Sequence, residues 1–249
     1  CDLRLEAAEK VAAEIRESGG EAMAVEMNVL DKASVESACA KILEKYGAVD
    51  ILLNGAGGNN PKGTTTRDNL TPEEVEALDA DGTIEGVKTF FDLDPEGISF
   101  VFNLNFLGTL IPTQVFARGM AKTGGTIINV SSMNAFRPLT RIPAYSGAKA
   151  AVSNFTQWLA VHFAPVGIRV NAIAPGFFLT DQNRTLLTNP DGSLTPRADK
   201  IISHTPMSRF GVPADLDGTL LWLADRDFSA FVDGVVIPVD GGFAAYSGV

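Results

Sequence analysis

Tyr145 and Lys149 stand four residues apart in the run Pro143-Ala144-Tyr145-Ser146-Gly147-Ala148-Lys149, with only small residues between them. On a helix that spacing sets both side chains on one face, one turn apart. An unperturbed phenol titrates near ~10 and an ammonium near ~10.4, so neither exchanges protons readily at neutral pH. A cation beside the phenol favours the phenolate. The pair is therefore expected to lower the tyrosine pKa and act as a proton donor and acceptor. A chance pair on a solvated helix face would do nothing, and the spacing alone does not separate the two readings.

Other groups gather at the carboxyl ends of predicted strands. Ser132 closes a strand over 125–132, thirteen residues before Tyr145. Asn54-Gly55-Ala56-Gly57 follows the strand ending "VDILLN", where glycines let the backbone approach a ligand. Pro175-Gly176 closes "IRVNAIAPG". Asn105 lies within a long helix predicted over 95–121, capped by Asp94 with Pro95 at its first position.

Around these groups the pattern alternates. Helices are expected over 3–18 (an apolar stripe of Leu5, Ala8, Val11, Ala12 and Ile15, stopped at Gly19-Gly20), from Asp31 to Tyr46-Gly47, over 144–164 and over 214–224. The almost wholly apolar strands are 21–29, 49–54, 125–132, 168–176 and 234–242. This rhythm predicts one α/β domain over 1–249, a doubly wound parallel sheet in three α/β/α layers. Ligands of such a fold sit beyond the carboxyl ends of its strands. A long polar insertion at about 58–97 breaks the rhythm, with a short helix capped by Thr71 and Glu74. It serves either binding or surface decoration.

Composition narrows the function. The 249 residues carry a net charge of −10, with 45% hydrophobic and 20% charged residues. That balance argues against a nucleic-acid or anionic-membrane partner, which calls for a basic face. No apolar run approaches the ~20 residues of a membrane span. Cys1 and Cys39 are too few for a disulfide framework, and His162 and His204 have no ligand cluster, so no metal is expected. The chain shows no signal peptide, and a cytoplasmic location is expected.

In "NGAG", "NVSS", "YSGAK", "VNAIAPG" and "PVDGG" the chain resembles the short-chain dehydrogenase/reductase family over essentially its whole length. The insertion ("GGNNPKGTT", "KTFFDLDPEG") with "SSMNAFRPLTRIPAYS" and "PGFFLTDQNR" resembles the D-mannonate oxidoreductase or fructuronate reductase branch, near the gluconate 5-dehydrogenases. The resemblance implies hydride transfer with a nicotinamide cofactor, with Ser132, Tyr145, Lys149 and Asn105 catalytic. Tyr145 would move the proton. Lys149 would tune Tyr145 and hold the nicotinamide ribose. Ser132 would donate to the substrate carbonyl oxygen, and Asn105 would hold a water linking Lys149 to solvent.

For the cofactor, the resemblance points to Asp2, Asn28, Val29, Asn54, Gly55, Ala56, Gly57, Pro175, Gly176, Phe178 and Thr180, besides Tyr145 and Lys149. Asp2 would bind the adenine ribose hydroxyls and repel a 2′-phosphate, favouring NAD over NADP. The glycine-rich turn of a first strand–turn–helix, which meets the pyrophosphate, is not in the sequence. Cys1-Asp2 reads as the last residues of a second strand, so the sheet is expected to lack its first strand and expose an edge.

Asn59, Asn60, Lys62, Asn134, Arg137, Arg141 and Arg184 are candidates for the substrate pocket. Several cations in an acidic chain suit a carboxylate, and asparagines suit hydroxyls. A polyhydroxylated keto acid of the D-fructuronate type is the expected substrate. The alternatives are another carbonyl reductase, of gluconate 5-dehydrogenase or 3-oxoacyl type, or a non-catalytic relative. A homotetramer is implied, with Phe155, Trp158 and Leu159 as candidate buried surface.

Overall fold

A computed structural model describes residues 1–248 except 79–81 and 181–182; the first of these gaps falls in the 58–97 insertion. The strands are β1 (Ile51–Asn54), β2 (Gly125–Val130), β3 (Ile168–Pro175) and β4 (Val236–Val239). All run parallel in the order β1-β2-β3-β4. The helices are α1 (Leu5–Glu17), α2 (Lys32–Tyr46), α3 (Pro72–Glu76), α4 (Pro95–Phe102), α5 (Gly108–Met120), α6 (Pro143–Phe163), α7 (Arg184–Leu187), α8 (Pro196–Ser203), α9 (Ala214–Ala224) and α10 (Arg226–Ser229).

Alternation along β2 divides the core. Ile127 turns to one face, packing with Met120, Leu159, Ile168 and Val170 beneath α5 and α6. Ile128 turns to the other, packing with Ile173 and Leu223 beneath α9. A parallel sheet between two helical layers results, a Rossmann-like α/β fold. The expected caps form: Asp31 accepts from Ala33 N, Asp94 from Glu96 N, and Thr71 and Glu74 make a reciprocal capping box.

The structure corrects several expectations. Residues 21–29 are not a strand: among the described residues their ladder is one parallel bridge, Glu26 to Asp2. The stripe of α1 stays largely open, with Leu5, Val11 and Ile15 exposed and only Ala12 buried. β1 lies at the end of the sheet order, and its Ile51 and Leu53 are 49% and 50% exposed. All three follow from having no neighbouring strand beyond β1 among the described residues.

The helix predicted over 95–121 is interrupted. Asn103–Leu107 widens into a π turn, with Gly108 N donating to Asn103 O. The whole rod, Pro95–Met120, is long and apolar enough to cross a membrane by length and composition, contrary to the sequence reading. Its buried residues Thr109, Pro112, Thr113 and Phe116 place its second half in the protein core.

A chain of buried polar groups crosses that core. Asn54 Nδ2 donates to Thr113 Oγ1 and to Asn129 Oδ1, both at 2.9 Å. Asn129 Nδ2 donates to Thr156 Oγ1 at 2.9 Å. Thr113 Oγ1 donates to Thr109 O, and Thr109 Oγ1 to Asn105 O. Side chains of α6, β2, β1 and α5 are thus joined down to the π turn. An Asn129→Leu variant leaves one buried N–H of Asn54 without an acceptor and removes the bond to Thr156. Each orphaned buried group costs about 1–3 kcal/mol. A lower urea midpoint at unchanged slope is the expected result, and an unchanged midpoint would show the chain to be dispensable.

Candidate active site

The carboxyl ends of β1, β2 and β3 lie side by side, in register through Asn54–Asn129 and Val130–Ile173. Past β2 the backbone reaches two serines with different fates. Ser131 Oγ pairs with Ser153 Oγ at 2.6 Å and donates to Lys149 O, which ties it to α6. Ser132 caps a short 3₁₀ turn by accepting from Asn134 N at 3.3 Å, and its hydroxyl also hydrogen-bonds Tyr145.

Pro143 opens α6 at a position where its missing N–H costs nothing. One turn in, Tyr145 faces the Ser132 hydroxyl, and Lys149 Nζ lies 5.6 Å from the centroid of the tyrosine ring. Lys149 is 3% exposed and donates from Nζ to Val130 O at 2.7 Å. The expected acidification of the phenol is not found. Burial raises the Tyr145 pKa, and the hydrogen bond with Ser132 only partly opposes it. The same burial pulls Lys149 down from 10.5 to about 8. In this state Tyr145 is a protonated donor at neutral pH.

Asn105 lies in the π turn and is fully buried. Its Nδ2 donates to Gly58 O and Val101 O, and its Oδ1 accepts from Gly58 N. Both amide hydrogens are spent on backbone, so the role this geometry gives Asn105 is to fix Gly58 and the widened turn. A water bridge from that amide is left only an acceptor lone pair.

The residues expected to hold a dinucleotide divide. A Cβ on Gly57 would lie 2.6 Å from Asn105 Oδ1 and 3.1 Å from Lys149 Nζ, whereas Gly55 faces open space. Backbone can thus lie against Lys149 only as glycine, and this cradle fits the nicotinamide end of a cofactor. Pro175-Gly176 follows at the end of β3, with Phe178 bridged to Gly211 and Thr180 N bonded to Asn183 Oδ1. The side chain of Asn54 is withdrawn into the polar chain, so only its backbone can meet a ligand. At the other end Asn28 Oδ1 accepts from Leu30 N, Val29 packs on Gly108, and Asp2 Oδ1 accepts from Arg4 N.

A cavity of about 500 Å³ opens between the loop before α6 and α8. Arg137 and Arg141 line it as expected, and so do Asp68, Arg197, Lys200 and His204, which the sequence reading missed. The signal was available: Arg197, Lys200 and His204 are spaced three and four apart after the Thr195 cap, one face of a helix. The other expected substrate residues are placed differently. Asn59 and Asn60 are spent on their own turn, through Thr64 Oγ1 and Lys62 N, and Lys62 pairs with Asp94 at 3.2 Å. Arg184 begins α7 and does not line the cavity. Asn134 is buried, and its Oδ1 has no partner among the described residues.

The Lys149 shift carries a stability consequence. Its ammonium is less favourable in the folded chain than in the unfolded one. That penalty is complete below the folded value near 8 and fades as pH rises toward 10.5. The drop is worth on the order of 3 kcal/mol, of which the charge-assisted bond to Val130 O, about 1.5–3 kcal/mol, returns a part. Lys149→Met should therefore melt higher than the wild type at neutral pH, with the gap closing as the buffer becomes alkaline. A gap of opposite sign in melting curves taken across that range would contradict this.

Known proteins share this chain's sequence and fold. The family model for short chain dehydrogenases matches residues 1–191. An uncharacterized oxidoreductase of Haemophilus influenzae is 59% identical over 249 residues, all of this chain and 84% of that protein. A crystal structure of a candidate D-mannonate oxidoreductase from Haemophilus influenzae, with bound NAD, superposes with a TM-score of 0.91 at 57% identity, covering 100% of this chain and 86% of that one. A gluconate 5-dehydrogenase from Burkholderia cenocepacia, in complex with NADP and tartrate, superposes at 0.76 with 28% identity, covering 97% and 83%. On these matches the chain belongs to the short-chain dehydrogenase family and is an oxidoreductase.

Proposed function

We propose that the protein interconverts a polyhydroxylated keto acid and the corresponding hydroxy acid, of the D-fructuronate and D-mannonate type. The observation that carries this reading is the cavity between α8 and the loop that leads into α6. Among the described residues of its wall, Arg137, Arg141, Arg197 and Lys200 meet one carboxylate, Asp68, in a chain whose net charge is −10. A local excess of cations against that background suits an anionic substrate. The names of the two solved relatives, one for D-mannonate and one for gluconate, agree with a sugar acid.

A bound nicotinamide cofactor supplies the hydride. The chain's own residues supply the proton and the geometry. Tyr145, kept protonated by burial, gives its phenolic proton to the oxygen that was the substrate carbonyl, leaving a hydroxyl on the product and a phenolate on the enzyme. Ser132, which hydrogen-bonds Tyr145 in the free chain, turns its proton to the same oxygen and stabilises its developing charge. Lys149, held by Val130 O, sets a positive charge beside the phenolate as it forms. Asp2 favours NAD over NADP by meeting the adenine ribose with a carboxylate. The two free cysteines suit a cytoplasmic protein.

Assembly as a homotetramer is part of the proposal. On α6, Trp158 and Val161 are 56% and 80% exposed, and Trp158 stacks between Phe155 and His162. Such an apolar stripe fits a subunit contact. Light scattering should give four chains per particle, and Val161→Glu should break it into smaller species.

The chemistry is tested by NADH consumption against D-fructuronate, 5-ketogluconate, a neutral ketose and a 3-oxoacyl thioester. Turnover of the acids above the others is expected, and preference for the thioester or the ketose would overturn the substrate. Tyr145→Phe should lower the rate by on the order of 10²–10⁴ with little change in melting temperature.

A further inference from the structure

The four cations of the cavity are not equivalent. Asp68, carried by the insertion, accepts from Arg141 Nε at 2.6 Å, from Lys200 Nζ at 2.6 Å and from Thr140 Oγ1 at 3.1 Å. Its pKa is held far below the ordinary carboxylate range by Lys200 first and Arg141 second, so it stays ionised. One carboxylate therefore faces two cations from opposite walls, Arg141 ahead of α6 and Lys200 on α8. A second carboxylate brought to either would lie against Asp68 and meet like charge. Arg137 and Arg197 differ. Arg137 donates Nε to Ala244 O at 3.1 Å, which orients its guanidinium without cancelling its charge. Arg197 has no hydrogen bond or ion pair among the described residues, although it lines the cavity.

We propose that the substrate carboxylate is received by Arg197 together with Arg137, and that Asp68 withholds Arg141 and Lys200 from it. This assignment rests on the sugar-acid reading above. Guanidinium groups recognise a carboxylate through paired N–H donors, and these two are the ones whose charge the protein leaves uncancelled. Arg137 and Arg141 both stand among the residues expected at the substrate pocket. The Asp68 ion pair is the reason to replace Arg141 by Arg197.

Titration calorimetry on the whole chain with D-mannonate, and with neutral D-mannitol as control, tests the assignment; KM and kcat for the keto acid provide the second readout. Arg197→Gln is expected to weaken D-mannonate binding and raise KM by about tenfold or more, the loss of one charge-assisted contact. Its kcat and its response to D-mannitol should hold within about twofold. Arg141→Gln, which leaves Asp68 ionised and paired with Lys200, is expected to change binding less than about threefold. Arg197→Lys, which keeps the charge and loses the fork, should fall between wild type and Arg197→Gln. Unchanged binding in Arg197→Gln, or an equal loss in Arg141→Gln, would overturn the assignment. A wild-type chain that neither binds nor reduces any sugar acid would sink the substrate reading, and the assignment with it. Binding of the acid that is indifferent to Arg197 sinks the assignment alone.

Discussion

The site depends on a line of buried hydrogen bonds that starts behind it on α6 and ends at Asn105. Thr156, Asn129, Asn54 and Thr113 join α6, β2, β1 and α5 through side chains that are nearly or wholly buried. Buried amides tolerate few alternatives, because a shifted strand leaves them unpaired in a medium that does not solvate them. This line fixes the height of α6 against β2, and with it the positions of Tyr145 and Lys149 against Ser132. It also runs through Thr109 to the carbonyl of Asn105, so the π turn and the strand ends share one frame.

Within that frame burial, more than pairwise attraction, sets the protonation states. Lys149 and Tyr145 are close neighbours, yet removing both from water opposes ionisation of each. The phenol keeps its proton, and the ammonium titrates nearer neutrality than a free lysine does. Such a pair is prepared to give a proton in the reductive direction. Taking one back requires further positive charge near the phenol, which the chain alone does not provide.

Much of this was legible in the residues. The helix starts at Asp31, Thr71 and Asp94 could be read because caps are local chemistry, and α6 could be read from Pro143 and its small residues. Long-range matters could not. The failure of 21–29 to form a strand turns on its ladder partners, which among the described residues come to one bridge, to Asp2. Asn54 looks like a ligand-binding residue until Asn129 and Thr113 are seen to claim both its amide hydrogens. Asp68 gave no sign in the sequence, since its partners lie at Arg141 and Lys200, far along the chain. The raised pKa of Tyr145 was hidden for the same reason: burial is a property of the fold.

The π turn at Asn103–Leu107 makes one rod answer to two neighbours. An added residue per turn swings everything downstream by roughly 100° about the axis. Ahead of it, Val101 faces Ala144 and Ala148 on the catalytic helix; beyond it, Phe116 and Ala117 face α2 and the sheet. A repeat of strict helical period cannot satisfy both, which is why hydrophobic spacing alone reads this stretch as unbroken. Shortening the turn by one amino acid would dial one half of the rod away from its seat, so this segment should accept exchanges of side chain far more readily than changes of length.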